Sequence, residues 1–126
     1  MKKLLTAIFL GLTMSLSITA MAEDHATLRV VQVETDDVAA YVARLTEGKK
    51  LIKAADEKFT IRAWQATFAG DATGVVIVGV DYPGSFGEFA MAWENLIADP
   101  AVGAWLGGLS ELRSISSDSL YNEFAL

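Results

Sequence analysis

The chain has 126 residues, 52% of them hydrophobic, with sixteen acidic residues against ten basic ones and a formal net charge of −6. That length suits a single ordinary domain, and the acidic balance disfavours nucleic acid and anionic lipid as partners, because both would be repelled. Cysteine is absent, which excludes disulfides and attachment through a lipidated cysteine.

The first 22 residues, "MKKLLTAIFLGLTMSLSITAMA", combine two lysines, an apolar run from Leu4 to Ile18 and the small-residue signature Ala20-Met21-Ala22. That order predicts a cleaved secretory signal peptide over residues 1–22 and an exported protein, periplasmic or secreted. As an uncleaved membrane anchor the run would fall short of the roughly 20 residues a bilayer needs. Cleavage removes Lys2 and Lys3, so eight basic residues face sixteen acidic ones and the charge becomes −8. Residues 23–126 are expected to form one domain, held by its core and free of the membrane once the signal is removed.

In the remainder, "LRVVQVE" (28–34) reads as a first strand. Thr35 is placed as a helix N-cap, with Asp36 and Asp37 favoured in the first turn by the helix dipole. Val38, Tyr41, Val42, Leu45 and Ile52 recur at helical spacing. Gly48 weakens this helix, which is expected to run to about Ala55. "FTIRAWQATFA" (59–69) and "GVVIVGVDY" (74–82) are strands, joined by a type II′ turn centred on Gly70-Asp71. Pro83-Gly84 fits a type II turn. Ser85 and Glu88 have capping-box spacing and start a second helix. Asp99-Pro100 opens a shorter one, stopped at Gly107-Gly108. A last strand is expected over Leu112 to Ser116, with a second short strand near Leu120 to Phe124 as an alternative.

The order strand, helix, strand, strand, helix, strand is the split βαβ arrangement: an α+β, ferredoxin-like four-stranded antiparallel sheet with its helices on one face. In element order, size and the hairpin "RAWQATFAGDATGVVIVGVDYPGS" the chain resembles the ferredoxin-like dimeric α/β-barrel superfamily, which includes the cofactor-free antibiotic-biosynthesis monooxygenases. The resemblance implies a homodimer in which two sheets face one another. It rests on no catalytic motif, and no site residue is carried over from it.

The II′ turn pairs Ala63 with Val78. One hairpin face then collects Phe59, Ile61, Ala63, Gln65, Val76, Val78, Val80 and Tyr82, and belongs under the helices. The other collects Arg62, Trp64, Phe68, Val75, Ile77, Gly79 and Asp81, an apolar patch that requires a cover. Homodimerisation through this face is the expected cover.

No catalytic residue can be assigned. Ser85 lacks the glycine two positions earlier that a nucleophile elbow requires, and it reads as a cap. His25 is the only histidine. After cleavage it would be the third residue, where it could join the α-amine and two amides around copper or nickel. Arg62, Trp64, Gly79 and Asp81 form the candidate ligand site, Trp64 stacking on a flat organic molecule and Arg62 holding an anionic or carbonyl group. The same residues read as interface anchors, an aromatic beside a buried, paired arginine, and this is the favoured reading because interfaces are enriched in tryptophan and arginine. No cofactor motif is present. Two functions follow as expectations: an exported dimeric barrel binding a small ligand or a protein partner, or a cofactor-free monooxygenase-like enzyme acting on a small aromatic compound. The export signal and the lack of a histidine in the folded body favour the first.

Overall fold

The computed structural model describes residues 26–67 and 69–126. The predicted signal peptide, His25 and Phe68 lie outside these residues. The elements are β1 (Thr27–Glu34), α1 (Val38–Ala55), β2 (Thr60–Gln65), β3 (Val76–Tyr82), α2 (Phe86–Ala98), α3 (Pro100–Ser110) and β4 (Ser114–Asn122). All four strands form one antiparallel sheet in the order β2-β3-β1-β4. This is the α+β ferredoxin-like arrangement the element order predicts.

Strand alternation divides the sheet, although Ala63 and Gln65, expected under the helices, are exposed towards the end of β2, beyond the cover of the helices. Val31 and Val33 of β1, Ile61 of β2, and Val76, Val78, Val80 and Tyr82 of β3 all point under the helices and are buried. They meet Tyr41, Leu45 and Ile52 of α1, Phe89 and Leu96 of α2, and Val102, Trp105 and Leu109 of α3. Phe59, at the entry to β2, is 1% exposed and lies 4.9 Å from Tyr82 and 6.0 Å from Phe89, ring centre to ring centre. Such aromatic contacts add to the area they bury.

The β2–β3 register pairs Ala63 with Val78 and Gln65 with Val76, as expected. The turn that produces it differs. In place of a two-residue II′ turn, the chain leaves β2 at Gln65 and returns through a short 3-10 turn at Gly70–Ala72. Gly70 and Gly74 take positive φ of 60° and 91°, and the Thr73 hydroxyl accepts from the Ala69 amide. Register survives because the longer loop keeps the same parity. Pro83-Gly84 is not a type II turn either, since Gly84 is not among the positive-φ glycines. Its amide instead donates to the Tyr82 carbonyl, and its own carbonyl accepts from the buried Thr27 hydroxyl.

The α1 N-cap is Asp37 rather than Thr35: the Asp37 carboxylate accepts from the Ala40 amide, while the Thr35 hydroxyl accepts from the Asp37 amide. Val42, expected on the apolar stripe, is 44% exposed; buried Gly48 takes a place on that face. Ser85 and Asp99 cap α2 and α3 as predicted. Helix α3 does not stop at Gly107-Gly108 but runs to Ser110. Leu109, 1% exposed, anchors that last turn in the core. Gly108 admits the Arg44 guanidinium, whose Nη2 would lie 2.3 Å from an added Cβ. The C-terminal segment forms one strand, not two. A register shift opposite Gln32 and Val33 lets β4 continue past Ser116 along β1.

Candidate functional site

A cavity of about 410 Å³ lies between the sheet and the helices. Its floor is Val31, Ile61, Val78 and Val80, and its walls include Leu45, Trp105 and Leu109. Small residues of α3, Gly103, Gly107 and Ser110, keep one side open. Trp105 is held in place by an indole N–H donated to the Arg44 carbonyl at 2.7 Å. The volume falls within the range of small-molecule pockets, which combine apolar walls with a few placed polar groups.

Those polar groups are two arginines. Arg29 precedes Val31 and Val33 on the same face of β1, so alternation directs it beneath the helices. Its guanidinium grips Asp118 of β4 with two bonds, Nε to Oδ1 at 3.0 Å and Nη2 to Oδ2 at 2.6 Å. It also lies 4.9 Å from the centre of the Trp93 ring. The hydrogen bond from Arg29 holds the Asp118 carboxyl below the usual carboxylate range; burial opposes this, and the charges of Arg29 and Arg113 reinforce it. A depressed carboxyl stabilises the fold above its unfolded pKa and loses that contribution as pH falls through the folded value. Asp118→Asn should therefore lower stability at neutral pH, by up to about 1 kcal/mol because the pair is partly exposed. The difference from the parent should shrink below about pH 4, in urea titrations at several pH values.

Arg113, just before β4, also lines the cavity. Its Nη1 donates to the Tyr41 hydroxyl at 2.9 Å, and its guanidinium carbon lies 6.0 Å from the Tyr41 ring centre. Its Nε is buried with no acceptor.

The residues singled out from the sequence lie on the other side of the sheet. Arg62 and Asp81, diagonal neighbours in the β2–β3 register, form an ion pair. The Arg62 guanidinium carbon sits 5.2 Å from the centre of the Trp64 ring. The space over Gly79 is filled by that ring, whose Cζ3 would lie 3.0 Å from a Cβ at position 79. Trp64 itself is 48% exposed. The structure thus brings Arg62, Trp64, Gly79 and Asp81 together, on a sheet face that carries no helix. Trp93 of α2 and Trp105 of α3 border the cavity. Sequence reasoning missed Arg29, Arg113 and Asp118. Only Arg29 left a local signal, as an arginine in phase with the two inward valines of "LRVVQVE".

Among the described residues no group of three or more histidine, cysteine or acidic side chains is placed to hold a metal ion. No helix among them is long and apolar enough to cross a membrane.

No protein-family model and no curated protein sequence matches the chain. Solved structures do. A NIPSNAP family protein from Agrobacterium tumefaciens superposes with a TM-score of 0.62 at 16% identity, over 81% of this chain and 85% of its own. A putative antibiotic biosynthesis monooxygenase from Bacteroides thetaiotaomicron gives 0.56 at 16% identity, over 83% and 92%. SnoaB, a cofactor-independent oxygenase from Streptomyces nogalater, gives 0.53 at 11% identity, over 81% and 93%. The chain shares the ferredoxin-like fold of the NIPSNAP and antibiotic-biosynthesis-monooxygenase-like proteins.

Proposed function

We propose that this chain is an exported, homodimeric α/β-barrel protein that holds a small, largely apolar organic molecule between its sheet and its helices. The observation that carries the reading is the cavity itself: about 410 Å³, walled by valine, leucine and tryptophan and bordered by two arginines. Export is supported by the lysine-first, apolar, Ala-x-Ala order of residues 1–22. Dimerisation is supported by the open sheet face, where Leu28, Val30, Val75 and Ile77 are partly exposed around Trp64 and Tyr121. A patch of that kind on a soluble protein marks an interaction surface.

Binding is favoured over turnover. An oxygenase-like reaction on an organic substrate calls for a group to take a proton, and such a base works best with a pKa near the operating pH. Asp118, the carboxylate nearest the cavity arginines, is held by Arg29 as a weak base. The single histidine, His25, lies outside the described residues.

Gly107 tests the assignment. It lies exposed at the cavity's edge, and a Cβ there would meet nothing within 4 Å. Gly107→Leu should leave the fold intact and favour α3 by about 0.5–1 kcal/mol through helix propensity. It should abolish saturable binding of the small fluorescent aromatic 1-naphthol, followed by fluorescence. Naphthol binding that is undiminished in the folded variant would remove the cavity as the site.

A further inference from the structure

We propose that the cavity takes an organic carboxylate, with the acid received by Arg113 and the apolar body lying against Val31, Ile61 and Trp105. This inference deepens the ligand-binding reading above and rests on it.

The two arginines of the cavity are not equivalent. Arg29 is neutralised in place by the bidentate contact with Asp118. Among the described residues no carboxylate lies within ion-pair distance of Arg113. Its recorded side-chain hydrogen bond goes to a neutral hydroxyl, that of Tyr41. Its Nε is buried and unsatisfied. A guanidinium cannot shed its charge at neutral pH, and a buried donor without an acceptor costs its full desolvation. Such a group therefore calls for an anion, and the planar two-oxygen fork of a carboxylate matches guanidinium geometry.

The Asp118 carboxylate is near enough for its charge and that of Arg113 to interact, but both its oxygens are engaged by Arg29, and the other carboxylates do not meet the demand. Glu34, Asp36, Asp37 and Glu111 share a separate depression with Arg113, but all four are exposed. Their influence at the buried Nε is screened by solvent. The cavity, in contrast, brings Arg113 against apolar walls, where a paired charge counts for more. At roughly 30 Å³ for each water-sized unit, about 410 Å³ accommodates a molecule of about a dozen non-hydrogen atoms.

The test compares decanoate with decan-1-ol by isothermal titration calorimetry at pH 7, on the unaltered protein and on Arg113→Gln. The two probes share an apolar body and differ in the charged head. The expected result is binding of decanoate at least about tenfold tighter than the alcohol, as a charge-assisted bond requires. That preference should collapse in Arg113→Gln and return in part in Arg113→Lys, which restores the charge but not the planar fork. Equal or tighter binding of the alcohol by the unaltered protein overturns the carboxylate assignment and leaves the cavity reading standing. Failure of both probes to bind overturns the cavity reading itself. A decanoate preference that persists in Arg113→Gln overturns the role of Arg113. The comparison on the unaltered protein decides the ligand class even if a variant fails to fold.

Discussion

Replacing Gly48 by alanine is expected to destabilise the domain by about 2 kcal/mol, although helix propensity alone predicts a gain of about 1 kcal/mol. Gly48 lies in the third turn of α1, and its missing side chain is the slot into which Trp105 of α3 inserts. An added Cβ would stand 1.9 Å from Trp105 Cζ2 and 2.1 Å from Cε2. The indole cannot swing aside freely, being 6% exposed and tied through its N–H to the Arg44 carbonyl. Either α1 and α3 separate or the indole bond breaks. Thermal unfolding should show a midpoint roughly 10 °C lower, given a domain of about this size. Pairing the change with Trp105→Phe should recover part of the loss, because the two residues share one space. A midpoint equal to or above the parent's would refute the close packing of the two helices.

Trp64→Arg is expected to dissociate the proposed dimer while leaving each chain folded. Trp64 is 48% exposed in the single chain and lies over Gly79, amid Leu28 and Ile77 of neighbouring strands. In a two-fold assembly the change occurs twice at the interface. Loss of an aromatic anchor costs about 2 kcal/mol per copy, so the dissociation constant should rise roughly a thousandfold. The added charge would also face Arg62 on the same strand and have to be desolvated. Sedimentation equilibrium reads the result: a variant that remains dimeric at the parent's affinity would put the interface elsewhere.

Much of the architecture was legible in the sequence because strand alternation is a local property. Val76, Val78 and Val80 against Val75 and Ile77 divide the hairpin faces without reference to the turn, and the Arg62–Asp81 pair follows from the same register. Turn chemistry was less legible. Gly70-Asp71 suits a tight hairpin, yet the Thr73 side chain and the positive φ of Gly74 build a wider loop of the same parity. Gly107-Gly108 looks like a helix stop, but burial of Leu109 outweighs propensity over a single turn. Gly48 reads locally as a weakness, and only the distant Trp105 shows its purpose. The cavity was the least legible part, since it draws Arg29 from β1, Trp93 from α2 and Arg113 from the start of β4. No spacing along the chain joins them. The aromatic and charged residues that stood out together, Arg62, Trp64 and Asp81, belong to the opposite face.

In the proposed function the two faces of one sheet divide the work, the open face assembling the protein and the helix-covered face holding the ligand. Calorimetric titration of decanoate into the Trp64→Arg variant, at concentrations where sedimentation shows it monomeric, tests this most directly. One molecule should bind per chain with the parent's affinity, because neither Trp64 nor another residue of the open face lines the cavity. Loss of binding together with loss of the dimer, in a variant that stays folded, would contradict it. The ligand would then lie in the space between the two sheets, around Arg62 and Asp81.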